Sequence, residues 1–106
     1  MIYILNGISV GMFKYFPVSI KIDKTNIEEI VSTIENNLYD SVIVRKSIAQ
    51  EVSNLLDISI NIVNKKINIV DGDIVYIARG TGTIYEKEDL VIPSNKKIEF
   101  FKVTLI

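Results

Sequence analysis

Isoleucine supplies 21 and valine 11 of the 106 residues, and this most constrains the fold. β-Branched side chains are stiff at the first side-chain torsion and pack well on a pleated surface. A chain built this way is expected to place much of itself in strands. The apolar fraction of 48 % is ordinary for a globular chain. One domain spanning 1–106 is the expectation at this length.

The placement of these residues gives an element order. Ile2 to Asn6 is apolar almost throughout and reads as a central strand. Gly7 to Pro17 reads as a connection. Val18 to Asp23 alternates apolar and polar, the pattern of a half-exposed strand. Thr25 with Glu28 three residues on has the form of a capping box. It predicts a helix with Ile27, Ile30, Val31 and Ile34 along one stripe and Asn36-Asn37 at its end. A second helix is predicted from about Ser41 to Leu56, burying Ile48, Ala49, Val52, Leu55 and Leu56. Asp71-Gly72 between Ile67–Val70 and Ile74–Ala78 predicts a hairpin. Arg79-Gly80-Thr81-Gly82 follows as a turn. Tyr85 to Leu90 reads as a short helical turn, Pro93 to Lys97 as a loop and Ile98 to Leu105 as a last strand. The expected fold is α/β (α+β): a mixed sheet of about five strands with two main helices packed on it.

Several chemistries are excluded by what is missing. The chain holds no histidine, so it has no histidine general base, no histidine metal ligand and no Ser-His-Asp triad. It holds no cysteine, so it has no disulfide, thiolate nucleophile or cysteine zinc site. No acidic trio has metal-ligand spacing, and neither metal nor cofactor is expected. A net charge of −1 argues against a surface that wraps long nucleic acid. The apolar start lacks the basic flank and cleavage site of a signal peptide, and no apolar run approaches the ~20 residues of a membrane span. A small charged ligand read by a local cluster stays open.

Two arginines, Arg45 and Arg79, are the chain's only planar, bidentate phosphate binders. Arg45, Lys46 and Ser47 fall at the start of the second helix, where unsatisfied N–H groups favour anions. Cations there are disfavoured unless an anion lies between, so an ordinary solvated face is the competing interpretation. Arg79-Gly80-Thr81-Gly82 joins a cation to glycines that permit close backbone approach. Its spacing is not that of a Walker loop or a dinucleotide fingerprint, and a plain turn explains it equally. Gly7 to Gly11, with Ser9 inside, offers a similar pair of interpretations. Glu86, Glu88 and Asp89 read as a solvated charge run.

The ordered set of motifs resembles a small viral family best known from archaeal viruses, whose members include ring nucleases acting as type III anti-CRISPRs. The matching residues are Ile2 to Asn6, Ser9, Met12-Phe13, Phe16-Pro17 and the strand Val18 to Asp23. Ser41 to Ala49, Leu55-Leu56, Asn64 to Ile67, Gly72-Asp73 and Ile98 to Val103 continue the match along nearly the whole chain. The resemblance implies a homodimer with an interface pocket for cyclic tetra-adenylate. It places Arg45 where the nucleases carry a histidine, Val44 where a glycine precedes it, and Arg79 where a loop arginine stands. The glutamate of that loop has no counterpart here, and the loop is about two residues shorter. Arginine stays protonated at ordinary pH and serves as neither acid nor base.

These readings set the expected function. The chain is a viral or prophage anti-defence protein in the cytoplasm of the infected cell, a homodimer or higher oligomer. It holds a cyclic oligonucleotide or related nucleotide messenger without efficient cleavage, and needs no membrane. Ser9, Arg45, Lys46, Ser47, Arg79, Gly80, Thr81 and Gly82 are the expected contacts, with Asn6 or Tyr85 against a base or sugar. Two alternatives remain. One is a metal-independent ring nuclease that relies on orientation and charge. The other is a module that docks on a host protein through Met12, Phe13, Tyr15 and Phe16.

Overall fold

The computed structural model describes residues 1–60, 65–81 and 97–106. Their elements are β1 (Ile2–Leu5), β2 (Ile20–Thr25), α1 (Ile27–Ile34), β3 (Tyr39–Val42), α2 (Lys46–Leu56), β4 (Ile74–Thr81) and β5 (Lys97–Leu105). A single 3₁₀ turn spans Val10–Met12. The five strands form one sheet in the order β2-β5-β4-β1-β3. β1 is parallel to both β3 and β4, while β5 is antiparallel to β4 and β2. The α+β class expected from sequence is the one found.

The apolar run of β1 is explained by its place: strands flank it on both sides and both its faces are covered. Ile2 and Ile4 face the helices and join a core with Ile30 and Ile34 of α1, Ile48, Ala49, Val52 and Leu56 of α2, and Tyr76, Ala78 and Phe100. Leu5 faces the other way, into a core with Val42, Val75, Ile77 and Val103. That second core is covered by irregular chain: Ile8, Met12 and Phe13 from one segment, Ile67 and Ile69 from another. The two covering segments are tied by the Ile69 amide, which donates to the Met12 carbonyl at 2.6 Å.

Tyr76 lies wholly inside, and its hydroxyl is satisfied there. It donates to Glu29 Oε2 at 3.1 Å and shares a 2.9 Å hydrogen bond with Thr33 Oγ1, both on α1. Burial pushes the phenol pKa up, the Thr33 bond opposes this, and Glu29 adds to it.

Four local expectations are corrected. Ser41 and Val42 belong to strand β3, and the second helix begins at Lys46, not near Ser41. β3 is an edge strand paired with β1 alone, and its Tyr-Asp-Ser-Val sequence has no apolar alternation to announce it. The Ile67–Val70 segment is no strand and makes no hairpin with β4; Ile69 instead forms a lone parallel bridge to Phe13. The Asp71-Gly72 turn itself is real: Gly72 has φ +91°, and the Asp73 carboxylate accepts from the Val70 amide at 2.9 Å. In β2, Ile20 packs against the second core whereas Ile22 lies outside it and is exposed.

The fourth correction concerns the start of α1. Thr25 ends β2, and Asn26 is the N-cap, with Oδ1 accepting from the Glu29 amide at 2.8 Å. The cap keeps the predicted three-residue spacing, moved along by one residue. Thr25 Oγ1 is instead a buried hydroxyl without a hydrogen-bond partner. Asn26→Ala is therefore expected to cost about 1 kcal/mol. Thr25→Val, which removes the orphaned hydroxyl, is expected to be neutral or stabilising. Urea unfolding of both variants checks this, and equal losses would contradict the assignment.

Candidate functional site

The carboxyl ends of parallel strands leave a crevice where the chain turns away toward its next element. Here β1, β3 and β4 end on the same side of the sheet. Asn6 follows directly on β1, Arg45 lies three residues past β3, and Arg79 and Gly80 stand in the last part of β4. These four residues, with Ile48 of α2, line a pocket of about 270 Å³. Both arginines of the chain thus line one cavity from elements far apart in sequence.

Each residue is placed by its local structure. Arg45 is the N-cap of α2, in extended conformation and with no side-chain cap bond to the helix. The first turn of α2 holds no acidic residue, so the positive end of the helix adds to the charge of Arg45 and Lys46. Ile48 is buried and joins the pocket to the helix-side core. Arg79 extends from β4, where its cross-strand partner is Glu99. Its Nη2 donates to Glu99 Oε1 at 3.0 Å.

Glu99 also lies 3.0 Å from Lys24 Nζ. The Arg79 hydrogen bond first, and Lys24 next, hold the Glu99 carboxyl below its ordinary value of 4.5. A lowered folded-state pKa gives stability that is present above the unfolded value and lost as pH falls through the folded one. The stability gap between the protein and Glu99→Gln is thus expected to close as the pH falls from neutral to below the ordinary value of 4.5. Thermal melts across that range check this, and a pH-independent gap would contradict it.

The expected site is assembled in part. Asn6, Arg45, Arg79 and Gly80 line the pocket. Lys46 and Ser47 follow Arg45 in α2 but do not line it. Ser9 stands exposed at the start of the 3₁₀ turn and is not part of it. Arg79, Gly80 and Thr81 are not a turn but the end of β4, paired with Glu99, Ile98 and Lys97. Their backbone is committed to the ladder and forms no anion nest. Gly82, Tyr85 and the predicted elements over 85–90 and 93–96 lie outside the described residues. Ile48 was assigned to the core and is pocket lining as well. Glu99, Phe101 and Lys24 escaped sequence reasoning because only the strand register brings them to Arg79.

Among the described residues, no group of three or more Asp and Glu side chains is placed to hold a metal ion. Among the same residues, no helix is long and apolar enough to cross a membrane.

The fold has a solved counterpart. B116 of Sulfolobus turreted icosahedral virus (STIV) superposes with a TM-score of 0.76 at 22% identity, covering 97% of this chain and 97% of that one. At that identity the likeness is one of fold: the same five-stranded sheet with its two helices. No curated protein matches the chain. A family model described as STIV B116-like matches residues 2–101, and the chain belongs to that STIV B116-like family.

Proposed function

We propose that this protein captures a cyclic oligonucleotide immune messenger, cyclic tetra-adenylate in the first instance, and holds it without efficient cleavage. The observation that carries this reading is the convergence of Arg45 and Arg79 on one pocket beside the α2 N-terminus. A guanidinium matches the planar, two-oxygen face of a phosphate better than any other side chain. Asn6 adds an amide that both donates and accepts, suited to a base edge or a ribose hydroxyl. Gly80 lets a ligand approach the strand backbone closely.

The pocket suits binding better than proton transfer. Among the described residues its polar side chains are two arginines and an asparagine, and none of these accepts a proton near neutral pH. General acid–base help is typically worth about 10²- to 10⁴-fold, and that share of a nuclease's rate has no donor among the described lining residues.

Size supports a second copy. A volume of about 270 Å³ falls at the bottom of the range for small-ligand sites, roughly 300–1,000 Å³. One pocket therefore holds a nucleotide-sized part of a ring. Two pockets related by a two-fold axis would meet a ring that shares that symmetry, as an isologous dimer interface allows. Sequestration of this kind fits an anti-defence protein of a virus or prophage, acting in the cytoplasm of the infected cell.

The test is a panel of cyclic di-, tri- and tetranucleotides and cyclic ADP-ribose isomers. Each is incubated with the protein and chromatographed before and after heat denaturation. The expected result is one ligand that disappears and returns intact. Linear product would mean a ring nuclease working without histidine. An unchanged panel would defeat the reading and leave docking on a host protein.

A further inference from the structure

Arg79 is 63% exposed. An untethered arginine so exposed samples many rotamers and loses that freedom on binding. This one is held on two sides. Its Nη2 donates to Glu99 Oε1 at 3.0 Å, and its Cζ lies 5.1 Å from the centre of the Phe101 ring. Both supports come from β5. Glu99 stands opposite Arg79 in the β4–β5 register, and Phe101, two residues along, shares its face of the sheet.

The carboxylate has a second cation. Glu99 Oε2 lies 3.0 Å from Lys24 Nζ on β2, and Lys24 is the register partner of Phe101. Lys24, Glu99 and Arg79 thus form a row across β2, β5 and β4, with Phe101 beneath its arginine end. One cation would be enough to neutralise Glu99. With Lys24 on the far oxygen, the row keeps a net positive charge, and Arg79 is fixed without being cancelled. The Glu99 bond uses one of the five N–H donors of the guanidinium fork.

We propose that Glu99 is a positioning residue: with Phe101 it fixes the guanidinium of Arg79, a pocket-lining residue, for an anionic ligand group, and Lys24 keeps Glu99 from cancelling that charge. The inference rests on the anion-binding reading of the pocket. It assigns a role to the last strand, which is not among the described lining of the pocket.

The test uses the full chain and the variants Glu99→Ala, Glu99→Gln and Lys24→Met. The probes are cyclic tetra-adenylate and inorganic pyrophosphate, titrated by calorimetry. The second readout is the order of the Arg79 Nε–H group by nitrogen-15 relaxation, which needs no ligand. Glu99→Ala is expected to loosen Arg79 and weaken binding by about three- to tenfold. Glu99→Gln keeps an acceptor oxygen and is expected to restore the order and part of the affinity. Lys24→Met is expected to weaken binding with Arg79 still ordered. Tighter binding by Glu99→Ala would overturn the proposal, because Glu99 would then be a competitor for Arg79. An Arg79 signal unchanged in Glu99→Ala would overturn it whatever the probes do. If the protein binds neither probe, the anion reading falls and takes the ligand half of the proposal with it. The relaxation data would still decide whether Glu99 fixes Arg79.

Discussion

Arg45→Ala and Arg79→Ala are each expected to weaken capture of cyclic tetra-adenylate by about 10- to 100-fold. A hydrogen bond to a charged group is worth about 1.5–3 kcal/mol, and a tenfold change in affinity is about 1.4 kcal/mol. Losing one arginine also leaves a phosphate oxygen facing a partly closed pocket without its donor. The double variant is expected to retain no ligand through chromatography. Lysine replacements keep the charge but lose the fork, so they should fall between wild type and alanine. Both arginines are exposed, and the melting temperature should move little. Calorimetric titration beside a thermal melt separates the two effects. Loss of binding together with a large fall in melting temperature would point to damaged structure instead.

The largest stability effect is expected at Tyr76. This side chain has no exposed surface, and it belongs to the helix-side core with residues of both helices and of β1 and β5. Tyr76→Ala removes a ring from a packed interior, a change that costs about 3–5 kcal/mol. Typical domains have only about 5–15 kcal/mol in total, so this variant should be largely unfolded at moderate denaturant. Tyr76→Phe keeps the ring and removes only the hydroxyl bonded to Glu29 and Thr33. Its expected cost is about 1 kcal/mol, because both partners sit where water reaches them. Equal losses in the two variants under urea would show that the hydroxyl, not the ring, anchors α1.

What could be read from the sequence divides along a physical line. β1 was legible because its apolar run matches a buried strand, and β5 because Ile98, Phe100, Phe101, Val103 and Leu105 mark a strand among polar residues. The stripe of α2 was legible because Ile48, Ala49, Val52 and Leu56 keep a helical period. β3 was not, because an edge strand with Asp40 and Ser41 carries no periodic signal. Arg79-Gly80-Thr81 looked like a turn because glycine pairs usually mark turns; pairing with β5 overrides that local preference. In the pocket, Arg45 and Arg79 were found by residue type, by their places at a helix start and a strand end, and by the family resemblance. Ser9 was placed there by motif order, and the structure does not bring it in. Glu99, Phe101 and Lys24 depend on which residue stands opposite which across β2, β5 and β4. That information belongs to the assembled sheet.

The central position of β1 also sets an order in time. Ile2 stands opposite Tyr39 on one side and Ile74 on the other. The amides and carbonyls of this strand therefore stay with water until two distant stretches of chain have been made and have closed large loops. Closing such loops lowers chain entropy before any contact rewards it, and folds built on distant parallel pairing assemble slowly. The pocket is bound by the same sequence of events. Asn6, Arg45 and Arg79 come to line one pocket only when those strands have met, so the pocket forms with the last of them to dock.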